Sequence, residues 1–101
     1  MRILLDQEKI EGFCRRRRVV EFAVFGSVLR EDFRADSDID VLVTFHPDAK
    51  WTLLDHVRME RELSELLARP VDLVSKRAVE RSPNYLRRRA ILESAEVVYA
   101  A

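Results

Sequence analysis

The run Val19-Val20-Glu21-Phe22-Ala23-Val24-Phe25 concentrates β-branched and aromatic side chains and stops at Gly26. Such a stretch is predicted to be a largely buried strand, ended by a residue that punctuates the chain. A second strand is predicted over 39–45, from Ile39 to Phe45, and it stops near Pro47. The surrounding segments carry a different period. Residues 3–18 place Ile3, Leu4, Ile10 and Phe13 among charged residues in a loose helical pattern. Residues 51–68 set Leu53, Leu54, Val57, Leu63, Leu66 and Leu67 at roughly helical spacing, with Met59 bridging a charged interruption. Pro70 ends that helix, and Val71-Asp72-Leu73-Val74 forms a short third strand. After Pro83, residues 84–94 suit another helix with Leu86, Ala90 and Ile91 on one side, and Val97-Val98-Tyr99 suits a final edge strand. Strands separated by helices indicate an α/β (α+β) domain with helices against a sheet.

The length of 101 residues suits a single domain over 1–101, without an internal repeat, low-complexity tract or linker. Charged residues make up 36% and hydrophobic residues 48%, a globular rather than a disordered balance. Lys+Arg and Asp+Glu each total 18, so bulk electrostatic attraction to nucleic acid or anionic membrane is not expected. Cys14 is the single cysteine, and no Cys/His cluster has zinc-site spacing. An acidic Asp6 interrupts the first residues before a signal-peptide core can form, and no apolar run reaches membrane-spanning length. A cytoplasmic location is the expectation.

The chemistry concentrates between the first two strands. Gly26 leaves room for close approach of a ligand to the backbone. Ser27 offers a hydroxyl and the free amides of a short helix predicted over 28–31, which suit a phosphate oxygen, although Ser27 could equally cap that helix. Asp38-Ile39-Asp40 then puts two carboxylates on one face of a strand while Ile39 and Val41 face the other way. Adjacent like charges are costly there, and a hard cation such as Mg²⁺ removes the repulsion. The plain alternative leaves Asp38 in the loop and Asp40 facing solvent. A calcium loop is disfavoured, because its sixth and twelfth places hold Val43 and Ala49. Asp72 is a lone carboxylate in an apolar strand. It sits either at an exposed sheet edge or beside Asp38 and Asp40, where it would complete a two-metal site.

Gly26-Ser27, ten intervening residues and Asp38-Ile39-Asp40 together resemble the signature of the polymerase-β-like nucleotidyltransferase superfamily. Asp72 looks like its third carboxylate. The short length and the ending from Tyr85 to Tyr99 resemble the MNT-type minimal nucleotidyltransferases, antitoxin partners of HEPN-domain RNase toxins. The resemblance implies a small mixed sheet flanked by helices that carries all three carboxylates. It implies that Asp38, Asp40 and Asp72 hold two Mg²⁺ ions and that Gly26, Ser27 and Arg30 bind the nucleotide. AMP would pass from ATP to a hydroxyl, a tyrosine of the HEPN toxin, with release of pyrophosphate. Many relatives place glycine immediately after the arginine, whereas this chain has Glu31, so the geometry of Arg30 departs from that pattern. The rival is a non-catalytic antitoxin that neutralises its partner by forming a hetero-oligomer.

Other residues have structural readings beside functional ones. The basic runs Arg15 to Arg18 and Arg87 to Arg89 are solvated helix faces or docking sites for an acidic partner, with protein favoured over nucleic acid. His46 and His56 have no paired ligand at useful spacing and are expected to be structural, while Trp51 and Tyr99 are expected to pack. Cys14 lacks the neighbours of a nucleophile.

Overall fold

The computed structural model describes residues 5–26 and 37–101. Asp6 caps the first helix, α1 (Gln7–Arg17), by accepting from the amides of Glu8 and Lys9, and Arg18 ends it in the left-handed conformation. Strand β1 (Val19–Phe25) and strand β2 (Ile39–Phe45) coincide with the two apolar runs. Helix α2 (Leu53–Leu67) opens with a capping box, in which Thr52 and Asp55 each satisfy the other's backbone amide. Strand β3 (Val71–Ser75) follows, then a short helix α3 (Lys76–Glu80), helix α4 (Tyr85–Ser94) and strand β4 (Glu96–Ala100).

The sheet has the order β3-β2-β1-β4. β1 pairs antiparallel with both β2 and β4, while β2 and β3 pair parallel, so the sheet is mixed as expected. A parallel pair needs a crossover, and α2 supplies it.

Both faces of the sheet are partly covered. The larger core buries Val19, Phe22 and Val24 of β1, Ile39, Val41 and Val43 of β2, and Val71 and Leu73 of β3 against α1 and α2. Ile10, Phe13 and Cys14 of α1 and Met59 and Leu63 of α2 close it, with Phe13 set edge-on to Phe22. The opposite face holds a smaller cluster, where Ala23, Phe25 and Leu42 meet Val79 of α3 and Ile91 of α4.

Three expectations change here. The apolar stripe of α2 runs through Met59 and Leu63, whereas Leu53, Leu54 and Val57 are exposed, Leu53 to 81%. On α4 only Ile91 is buried; Leu86 is 76% exposed and Ala90 is also exposed. Helix α3 has no counterpart in the sequence reading. It is five residues long, and Ser75 caps it by accepting from the amide of Ala78. Ile3, Leu4 and the helix predicted over 28–31 lie outside the described residues.

Candidate active site at the carboxylate end of the sheet

β1 ends at Phe25, and Phe25 is the register partner of Asp40 on β2. Asp40 is in turn the partner of Asp72 on β3. Partners across a ladder point to the same face, about 4.8 Å apart between strands. Phe25, Asp40 and Asp72 therefore form a row on the face that carries the smaller cluster, next to Leu42 and beyond the cover of α3 and α4. Asp72 is exposed and Asp40 half-buried. β3 is an edge strand, and Asp72 is also in register with Asp40. Asp38 is exposed and sits just before β2 rather than within it.

Gly26 follows directly. Its φ of +73° lies in the left-handed region, and a Cβ placed on it would stand 2.3 Å from Asp40 Oδ2. Glycine is thus demanded twice, by the backbone and by the carboxylate that occupies the space. Ser27 and Arg30 lie outside the described residues.

The donor set suits a hard divalent cation: carboxylate oxygens, two of them side by side on adjacent strands. Among the described residues, no three His, Cys, Asp or Glu side chains are gathered closely enough to hold one ion. Asp40 and Asp72 are thus neighbours by register and Asp38 is near them in sequence only, with the three side chains not drawn into a cluster.

A broad concavity lies elsewhere. It has a volume near 800 Å³ and is lined at the far ends of β2 and β3 by residues such as Phe45, Trp51, His56 and Lys76, and by none of the three aspartates. Trp51 packs edge-on against Phe45 and donates from Nε1 to the carbonyl of Arg17. His46 accepts from the Asp48 amide through Nδ1 and lies beside Arg18, so its use is structural, as expected.

The basic runs are largely bound within the fold. Arg15 pairs with Glu11, Arg16 and Arg17 both pair with Glu62 of α2, and Arg89 pairs with Glu93. Arg88 donates to the carbonyl of Ser82 and lies over the Tyr85 ring. Glu62 feels opposing influences: burial raises its pKa, and the hydrogen bonds from Arg16 and Arg17 bring it below the ordinary 4.5. Burial, helped by Glu11, pushes the Cys14 thiol up to about 12.

Among the described residues, no helix is long and apolar enough to cross a membrane.

Comparison with known proteins agrees with this geometry. The sequence profile of the nucleotidyltransferase domain family matches residues 7–98. The protein adenylyltransferase MntA of Thermococcus cleftensis is 40% identical over 62 residues, 61% of this chain and 61% of its own length. A provisionally named protein adenylyltransferase of Methanocaldococcus jannaschii is 37% identical over 62 residues and is likewise spanned over 61% of its length. A solved structure provisionally described as a minimal nucleotidyltransferase superimposes with a TM-score of 0.67 at 40% identity, covering 89% of this chain and 86% of that one. A toxin–antitoxin complex with AMP-PNP contains a chain of the same fold, with a TM-score of 0.74 at 20% identity over 96% of this chain and 75% of that one. With the profile spanning nearly the whole chain and the carboxylates in register on one face, the chain belongs to the nucleotidyltransferase domain family.

Proposed function

We propose that this domain is an Mg²⁺-dependent protein adenylyltransferase and antitoxin, which transfers AMP from ATP to a tyrosine hydroxyl of a HEPN-domain toxin. The observation that carries the reading is the register of Asp40 against Asp72, with Gly26 shaped around the Asp40 carboxylate. The relatives support a HEPN toxin as the acceptor protein. Several are named protein adenylyltransferases, and one structure of the same fold comes from a complex of tri-AMPylated Shewanella oneidensis HEPN toxin with its MNT antitoxin.

The reaction is a displacement at phosphorus. The acceptor hydroxyl loses its proton to solvent as its oxygen forms a bond to the α-phosphorus of ATP, the bond to the bridging oxygen breaks, and pyrophosphate departs with that electron pair. Bound Mg²⁺ ions would neutralise triphosphate charge and make the acceptor hydroxyl a better nucleophile. Asp38, Asp40 and Asp72 would supply the oxygens that hold them. Asp72, on the exposed edge strand, is the carboxylate an incoming protein hydroxyl can approach. Ser27, with its amide, and Arg30 are assigned to the triphosphate. This small domain supplies the nucleotide half of the site, and the partner brings the acceptor.

The test is the intact mass of the HEPN partner after incubation with this protein, ATP and Mg²⁺, beside the Asp38→Asn/Asp40→Asn double variant. AMP-sized increments with the wild type alone are expected. A stable complex with no increment from either protein would replace this reading with neutralisation by binding, for which the exposed Leu53, Leu54 and Val57 offer a surface.

A further inference from the structure

Strand β3 is an edge strand of five residues, and such strands leave every second backbone N–H and C=O without a ladder partner. Here Pro70 and Asp72 face β2: the Pro70 carbonyl accepts from the Ile39 amide, and Asp72 is in register with Asp40. Val71 and Leu73 therefore present their amides outward. Three side chains of α2 meet that outer edge. Ser64 Oγ accepts from the Val71 amide at 3.1 Å, and Glu60 Oε2 accepts from the Leu73 amide at 2.8 Å. His56 Nε2 lies 2.7 Å from the Leu73 carbonyl; a carbonyl cannot donate, so Nε2 carries the proton.

The spacing has a geometric basis. Residues 56, 60 and 64 lie four apart along one helix face, a rise of about 6 Å per step. The outward groups of a strand recur every two residues, about 6.6 Å. The near match of the two repeats lets Ser64 and Glu60 meet the successive outward amides of Val71 and Leu73, while His56, one helix step on, reaches the carbonyl of the same Leu73. Acceptors meet the two amides, and a donor meets the carbonyl. The Ser64 hydroxyl is itself fixed by donating to the Glu60 carbonyl.

We infer that His56, Glu60 and Ser64 act as a surrogate strand along the outer edge of β3, making them positioning residues for Asp72. Asp72 lies between the two residues they grip, and β2 holds it from the other side. Its backbone is fixed on both edges while its side chain stays exposed. The catalytic meaning rests on the function proposed above; the mechanical claim does not. A carboxylate displaced by about 1 Å can cost on the order of 10²-fold in rate, so gripping this strand bears directly on transfer.

The test compares Glu60→Ala with Glu60→Gln, which keeps an acceptor oxygen, in the full chain. Hydrogen exchange at the Leu73 amide, referenced to the Val41 amide of β2, reads the clamp without any ligand. Exchange at Leu73 is expected to rise about tenfold or more in Glu60→Ala and to stay near wild type in Glu60→Gln. Mn²⁺ affinity is expected to fall by about 10–100-fold in Glu60→Ala alone, the range typical for residues that orient metal ligands. In the AMP-transfer assay kcat should fall with KM for ATP within about twofold. Unchanged exchange at Leu73 would overturn the clamp. Looser exchange with wild-type Mn²⁺ affinity and kcat would overturn the link to Asp72. If the wild type itself neither binds Mn²⁺ nor transfers AMP, the functional reading fails, and the exchange data alone decide the clamp.

Discussion

Replacing Gly26 by alanine should separate the site from the fold. The new Cβ would stand 2.3 Å from Asp40 Oδ2 and 3.2 Å from Asp40 Cγ, where ordinary contact begins near 3.4 Å. The carboxylate must therefore retreat by about 1 Å, and the Gly26 backbone, at φ +73°, must also hold a side chain that disfavours this region by about 1–2 kcal/mol. For a domain of this size that strain lowers Tm by roughly 5–15 °C, which leaves the protein folded at room temperature. Activity should suffer far more, because a 1 Å displacement of a reacting group is worth on the order of 10²-fold. The assay pairs thermal unfolding with AMP transfer below the transition, using Gly26→Ala alone and combined with Asp40→Asn. If the glycine acts through Asp40, the double variant loses little beyond Asp40→Asn. Transfer by Gly26→Ala within about twofold of wild type would refute the reasoning, since the carboxylate would then tolerate the displacement.

Three further outcomes follow from the same geometry. With its pKa near 12, Cys14 should be only about 10⁻⁴ thiolate at about pH 8, so iodoacetamide should leave the folded protein unmodified and label it after urea unfolding; labelling at a free-thiol rate without unfolding would contradict its burial. The folded pKa of Glu62 is depressed, so its stabilisation is present above the ordinary 4.5 and lost as pH falls through the lower folded value. Glu62→Gln should cost up to about 1 kcal/mol at neutral pH, a gap that urea melts should find shrinking as pH is lowered below 4.5, whereas a constant gap would deny the charge its role. Asp72→Asn removes one of two like charges on adjacent strands, so it should leave Tm unchanged or raise it while abolishing AMP transfer; a markedly lowered Tm would mean that Asp72 supports the fold.

Most of the sheet was legible because its strands are short, apolar and bounded by Gly or Pro. β1 and β2 fall on the predicted runs, and the prolines at 70 and 83 separate the later elements. Strand order was not legible, because periodicity reports which face of a strand is buried and says nothing of its neighbour. The pairing of Asp40 with Asp72 was one of two readings of a lone carboxylate in an apolar strand, and the register decided it. The helices misled where apolar residues serve something other than the core. Leu53, Leu54 and Val57 begin α2 beyond the sheet's cover, and Leu86 lies on the outer side of α4. Helix α3 is too short to show a period, and its Ser75 cap is its main sequence mark. The stripe of His56, Glu60 and Ser64 carried a readable spacing of four. Its purpose depends on β3 being an edge strand, which a single sequence does not disclose.

The same stripe gives the basic runs a place in the mechanics of the site. A chain with 18 acidic and 18 basic residues could expose its arginine clusters for docking, yet Arg16 and Arg17 converge on Glu62 and tie α1 to α2. Glu62 lies between Glu60 and Ser64 in sequence, so the ion pair anchors the turn of α2 whose neighbouring side chains grip β3. Met59 and Leu63, fully buried, seat that turn on the larger core. Salt bridges this exposed contribute little energy singly, but two arginines sharing one carboxylate restrict how the helix can slide. Sliding is the motion that would matter, because a displacement of α2 along its axis moves all three gripping side chains out of phase with the strand. On the clamp inferred above, Arg16 and Arg17 would bear on Asp72 only indirectly, by fixing the helix that grips β3.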